Sequence, residues 1–169
     1  LRRLHAEAVD VGCDVVVFPE LALTTFFPRW YTPDLDGHDS YFETSMPNDV
    51  VQPLFDDAAR TGCGFCLGYA ELTSDGHRYN TYVLVDGTGA IVGRYRKVHI
   101  PGHADHQPER PFQHLERRYF EESPDGFGVV DAFGGSVGMA ICNDRRWPET
   151  YRVLGLLGAE MVFIGYNTP

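Results

Sequence analysis

Positive charge is scarce in this sequence. Lysine and arginine together number 14, against 24 aspartates and glutamates, and the formal net charge is −10. Non-specific nucleic-acid binding needs a basic face that displaces counterions from phosphates. No basic run here exceeds two or three residues, so that class is excluded. Long apolar runs are also missing, which excludes a membrane-spanning helix. The opening Leu1-Arg2-Arg3-Leu4 carries no signal-peptide apolar stretch and no start methionine. Cysteine is rare: Cys13, Cys63, Cys66 and Cys142 are too few for a disulfide scaffold in 169 residues. A reducing, cytoplasmic setting is the expectation. Repeats, low-complexity tracts and linkers are absent as well.

What is present is a hydrophobic fraction of 43%, enough to bury a core in one domain over residues 1–169. Leu1, Leu4 and Ala8 are spaced as one helix face, with Gly12 as a stop. Val15-Val16-Val17-Phe18 reads as a buried strand closed by Pro19-Glu20. Residues 24–47, rich in aromatics, prolines and aspartates, read as a long loop. Val51, Leu54, Phe55 and Ala58 share a helix face that Gly62 ends, and a strand over 65–69 follows. Residues 79–95 read as a hairpin turning at Asp86-Gly87-Thr88-Gly89. The stretch 97–118 is basic, histidine-rich and broken by Pro101, Pro108 and Pro111. A second hairpin turns at Gly134-Gly135; a helix from Pro148 and a strand over 161–164 finish the chain. Helices alternate with apolar strands, which predicts an α/β layered domain. Both ends look cut, so the sequence is expected to be part of a longer protein.

The stretch "GMAICNDRRWPE" places Cys142 where a strand gives way to a helix. A buried cysteine is often an inert small hydrophobe. Backbone N–H groups and a helix N-terminus nearby would instead activate the thiol. The Asn143 amide would then be placed as an oxyanion donor. Two further charged residues fall at strand ends, Glu20 and Lys97, where open α/β folds gather their sites. Each alone reads as a solvated surface charge. Together with Cys142 they supply a base, an ammonium for a developing oxyanion, and a nucleophile. Arg145 and Arg146 suit a substrate carboxylate, and cations are disfavoured at a helix start, which weakens a purely structural reading of the pair.

"FPE", "RKVHIPG" and "ICNDRRWPE", in that order, closely resemble the nitrilase superfamily of carbon–nitrogen hydrolases. Within it, "VFPELALTTFFPRW", "RPFQHLERRYF", "CNDRRWPETYRV" and "GYNTP" look like the N-carbamoyl-D-amino-acid hydrolases (D-carbamoylases). The resemblance covers nearly all of the chain. It implies an αββα sandwich, here incomplete because the first strand and the C-terminal portion of the family are missing. It implies Glu20 as general base, Lys97 as oxyanion stabiliser, Cys142 as nucleophile and Glu116 as the acid that holds the lysine. By the same resemblance His99 and His114 support the pocket, and Asn143 flanks the nucleophile. Arg145 and Arg146 hold the substrate carboxylate, and Asn167 and Thr168 line the wall. The implied substrate is a small N-carbamoyl amino acid, hydrolysed without metal or organic cofactor, and the full-length protein is expected to be a homo-oligomer. The D preference comes from the resemblance alone. Other branches of the superfamily, acting on β-ureidopropionate, N-carbamoylputrescine or simple amides, remain alternatives, as does an inactive fragment.

Two rival sites arise from the same residues. His99, His103, His106 and His114 suggest a metal, but Pro101-Gly102 breaks any helix that would align them. Cys63 and Cys66 match a C-x-x-C spacing. They enter a strand rather than start a helix, and residues three apart on a strand face opposite sides. Core packing is the expectation there.

Overall fold

The computed structural model describes residues 1–167. Among the described residues eight strands form two sheets. β1 (Val15–Val17), β2 (Phe42–Glu43), β3 (Gly64–Leu72), β4 (Arg78–Val85) and β5 (Ile91–Arg96) make the first; β6 (Val129–Ala132), β7 (Gly135–Ile141) and β8 (Met161–Gly165) make the second. β3 runs parallel to β1 and β2 and antiparallel to β4, which pairs with β5. β7 lies between antiparallel β6 and parallel β8.

Strand alternation builds the layers. On β3, Phe65, Leu67 and Tyr69 face one way and join Val83 and Val85 of β4 under helix α2 (Gln52–Thr61). Val51, Leu54, Phe55 and Ala58 supply the helix side of that layer, as their spacing predicts, and left-handed Gly62 caps it at φ 78°. Cys66, Tyr82, Leu84 and Tyr95 face the opposite way and meet Val137, Met139, Ile141, Cys142 and Phe163 of the second sheet. Helix α4 (Pro148–Leu156) covers that sheet's outer side. Its buried Leu154 approaches Gly138 so closely that a Cβ there would lie 2.9 Å from the leucine. Helix, sheet, sheet and helix are the αββα order that the sequence resemblance implies.

Several expectations change in detail. In helix α1 (Arg2–Asp10) Leu1 and Leu4 are exposed, and the buried residue is His5, whose Nε2 lies 2.8 Å from the Cys63 carbonyl. The helix meets the domain through this imidazole rather than through the predicted leucine face. β1 is shorter and less buried than its valines suggest. It holds three residues at the sheet edge, and Val17 is exposed. The long loop contains two short 3-10 turns (Phe27–Arg29 and Asp36–Tyr41) and β2. Cys63 and Cys66 are free and buried; Cys66 points between the sheets towards Met139, and Cys63 precedes β3. Among the described residues no helix is long and apolar enough to cross a membrane, and no cluster of three metal-ligating side chains forms.

Candidate active site

Glu20 follows β1 in a turn that crosses β3. Phe18 N–H donates to the Cys66 carbonyl and Ala22 N–H to the Gly68 carbonyl, so the residues between them arch over the strand. Gly68 makes the crossing possible: a Cβ there would lie 2.7 Å from the Pro19 carbonyl and 2.9 Å from the Leu21 nitrogen. The arch drives the Glu20 carboxylate inward, where it is fully buried.

Lys97 arrives from β5. Its N–H donates to the Asn80 carbonyl, extending the β4–β5 pairing by one residue. Its ammonium, also fully buried, donates to Glu20 Oε1 at 2.7 Å and to Glu116 Oε2 at 2.5 Å. Asn80 Nδ2 donates to the same Glu20 oxygen at 2.8 Å. Glu116 opens the short helix α3 (Glu116–Tyr119), and His114 Nε2 lies 2.7 Å from its other oxygen. Glu20 Oε2 is buried without a hydrogen-bond partner.

One ammonium between two carboxylates makes the two acids unequal. Burial pushes the Glu20 carboxyl above its ordinary range; Lys97 opposes this and Glu116 adds to it. Burial acts on Glu116 as well, but Lys97 and His114 outweigh it and hold that carboxyl low. Burial works against the Lys97 charge, yet Glu20 and Glu116, with a smaller contribution from Cys142, hold its pKa above the usual lysine value.

Cys142 follows β7 directly and is buried. Its φ is 46°, a left-handed conformation that costs a side-chain-bearing residue about 1–2 kcal/mol. The 3-10 turn Cys142–Arg146 follows at once, before α4. The predicted strand-to-helix junction is therefore a tight turn, and the regular helix begins six residues later at Pro148. Asp144 holds the turn. Its buried Oδ2 accepts from Ile141 N–H at 3.0 Å and Tyr95 O–H at 2.7 Å, while Oδ1 accepts from His99 N–H at 2.9 Å and faces His99 Nδ1 at the same distance. Ile141 N–H closes the turn on itself, Tyr95 ties it to β5, and the two His99 contacts tie it to the segment that follows Lys97.

The remaining sequence candidates are placed as follows. Asn143 Nδ2 donates to the His99 carbonyl at 3.1 Å. Arg145 Nη1 lies 3.0 Å from the Cys142 carbonyl and 3.7 Å from its sulfur, and the guanidinium stacks over Tyr166 at 4.4 Å. Arg146 is exposed. Asn167 Nδ2 donates to the Glu20 carbonyl at 2.7 Å, and Thr168 lies outside the described residues. The histidine-rich stretch is divided among separate tasks: His99 stacks on Trp147, His114 meets Glu116, and His106 stacks on Tyr31.

Sequence reasoning passed over Asp144, Asn80 and Tyr166. Asp144 had a signal, a carboxylate two residues after the thiol in a helix-entry turn. Asn80 lies in a strand with no motif to mark it, and Tyr166 falls inside "GYNTP", of which only Asn167 and Thr168 were singled out.

The chain matches the carbon-nitrogen hydrolase family over residues 1–169. It is 39% identical over 159 residues to a citrullinase from Francisella tularensis subsp. tularensis, covering 92% of this chain and 50% of that protein. It is 33% identical over 164 residues to an N-carbamoylputrescine amidase from Solanum tuberosum, covering 95% and 50%. The crystal structure of a carbon-nitrogen hydrolase from Helicobacter pylori G27 superposes with a TM-score of 0.77 at 24% identity, over 97% of this chain and 52% of that one. The chain thus spans about half the length of the curated relatives it matches. With the family matched from end to end, the chain belongs to the carbon-nitrogen hydrolases of the nitrilase superfamily.

Proposed function

We propose that the protein hydrolyses N-carbamoyl amino acids, with the D series preferred, through a covalent intermediate on Cys142. The observation that carries this reading is the position of Arg145. Its guanidinium lies against the Cys142 carbonyl and sulfur, so a substrate whose ureido carbon meets the thiol has a cation within reach of its carboxylate. The D preference rests on the motif resemblance.

In this mechanism Glu20 takes the thiol proton, and the Cys142 thiolate attacks the ureido carbon. Lys97 and the Asn143 backbone N–H stabilise the tetrahedral oxyanion. The C–N bond to the amino acid breaks, Glu20 returns the proton to the departing nitrogen, and a carbamoyl group remains on sulfur. Glu20 then deprotonates water, which attacks the thiocarbamate. Carbamate leaves and breaks down to carbon dioxide and ammonia. The raised pKa of Glu20 suits a group that both gives and accepts a proton. Glu116, bonded to Lys97 and His114, keeps the ammonium fixed.

The similarity to N-carbamoylputrescine amidase favours a second reading, an amine-bearing carbamoyl substrate. An arginine beside the thiol opposes a cationic substrate by like-charge repulsion. Ammonia release by the full-length protein decides between them. The panel is N-carbamoyl-D- and L-amino acids, β-ureidopropionate, N-carbamoylputrescine and aliphatic amides, with Cys142→Ala alongside. Turnover of the D-carbamoyl amino acids that vanishes in Cys142→Ala supports the proposal. A preference for substrates without a carboxylate refutes the assignment of Arg145, and activity that survives Cys142→Ala refutes the mechanism.

A further inference from the structure

Tyr82 stands where strands of both sheets converge. It belongs to β4, is fully buried and faces the core between the sheets. Its hydroxyl donates to the Phe18 carbonyl at 2.5 Å, two residues before Glu20. Its ring passes Gly68, where a Cβ would lie 2.4 Å from the ring. Its oxygen meets Gly165 at the end of β8, where a Cβ would lie 1.0 Å from the hydroxyl and 2.8 Å from the Phe18 carbonyl. Gly165 is paired with Ile141 in the β7–β8 ladder, and Ile141 precedes Cys142. One hydroxyl therefore touches the strand that delivers Glu20 and abuts the strand in register with the one that delivers Cys142. Asn167, two residues after Gly165, ties the same exit to the Glu20 carbonyl.

Filling the core does not call for this oxygen. A phenylalanine occupies the same volume without a buried polar atom. The room left for the hydroxyl by a glycine on β8 marks it as a spacer between strands of different sheets. We propose that Tyr82 is a positioning residue whose hydroxyl, bonded to Phe18 and set against Gly165, fixes the spacing between the Glu20 carboxylate and the Cys142 thiol. This rests on the roles given above to Glu20 and Cys142.

The test uses the full-length protein and a probe that needs no substrate. Iodoacetamide reacts with the thiolate, so the alkylation rate of Cys142, located by peptide mapping, reports how well the base serves the sulfur. Exposed Cys13 is the internal control. Tyr82→Phe is expected to slow Cys142 alkylation roughly tenfold and to lower kcat by a similar factor. KM stays within about twofold, because the substrate contacts are kept, and Cys13 alkylation is unchanged. Should Tyr82→Phe fail to fold, Asn167→Ala cuts the second tie at the same exit and is expected to slow alkylation about threefold. Alkylation of Cys142 at the wild-type rate in the folded variant overturns the proposal. A wild-type protein whose Cys142 alkylates readily but which turns over no N-carbamoyl compound refutes the substrate reading alone; the comparison of alkylation rates still decides the role of Tyr82.

Discussion

Two ionic clusters sit back to back on the same corner of the first sheet. Asn80 and Thr81 are neighbours on β4, and Arg96 and Lys97 are neighbours at the end of β5, so alternation sends one of each pair to either face. On the helix-bearing face Glu71 receives Arg96 at 2.7 and 2.8 Å, Thr81 O–H at 2.7 Å, and Arg94 at 3.5 Å. On the inner face Lys97 stands between Glu20 and Glu116, and Asn80 supports Glu20. The outer cluster has one acid with two guanidiniums, and each carboxylate oxygen is bonded. The inner one has one ammonium with two acids, and Glu20 Oε2 is left over. Burial acts on both glutamates. Arg96 and Thr81 overcome it at Glu71, whose pKa falls, whereas at Glu20 burial wins. A satisfied cluster holds strands together. A cluster with a buried carboxylate oxygen to spare, a raised pKa and a thiol nearby is equipped to move protons. A cleft of about 730 Å³ opens beside the outer cluster, lined by Glu71, Arg94 and Arg96 and by none of Glu20, Lys97 and Cys142. Its size does not make it the seat of the chemistry.

The contrast yields graded expectations. Lys97→Met is expected to lower kcat by roughly 10³-fold, the scale of losing an oxyanion donor; Arg96→Met leaves kcat within about threefold. Steady-state ammonia release compares them, and equal losses would erase the distinction between the faces. In urea unfolding, Lys97→Met strands two buried carboxylates and costs about 3–5 kcal/mol. Arg96→Met takes two bonds from the largely buried Glu71 but leaves it Thr81 and Arg94, and costs about 2 kcal/mol.

The pH dependence of stability separates the two glutamates by sign. The Glu20 pKa is raised in the fold. Its contribution is therefore fully present below the ordinary value of 4.5 and is lost as pH rises through the folded value. The Glu71 pKa is lowered, so its contribution is present above 4.5 and is lost as pH falls through the folded value. Urea midpoints measured across this range should show a shallower alkaline-side decline in Glu20→Gln and a shallower acid-side decline in Glu71→Gln, where Glu116 and Asp57, also held low, supply the remainder. The smallest effect is expected from Thr81→Val, which removes one bond to Glu71: about 1 kcal/mol of stability, with turnover unchanged.

The sequence carried much of this, unevenly. The helix face of Val51, Leu54, Phe55 and Ala58, both predicted hairpins and the layered class follow from periodicity and turn residues, because burial alone selects those patterns. Glu20, Lys97, Glu116 and Cys142 were legible as motifs, and the structure gathers the first three into hydrogen-bond contact. Leu1 and Leu4 misled, since periodicity shows which residues share a face and not whether anything covers it. Arg145 and Arg146 look equivalent in sequence, yet the turn after Cys142 sends one guanidinium to the thiol and leaves the other exposed. Asn80 and Tyr82 carried no motif. Their importance comes from strand register, which brings residues 60 and 64 positions apart within bonding distance of Glu20 and Phe18, and local pattern does not encode it.

The central claim is that the inner cluster serves a covalent step at Cys142. Full-length protein is mixed with an N-carbamoyl-D-amino acid, quenched in acid during turnover, and read by intact mass and peptide mapping. A carbamoyl adduct on the peptide that contains Cys142, absent from Cys142→Ala, is the predicted result. Continuing turnover with no adduct, or with the adduct on Cys13, Cys63 or Cys66, would contradict it.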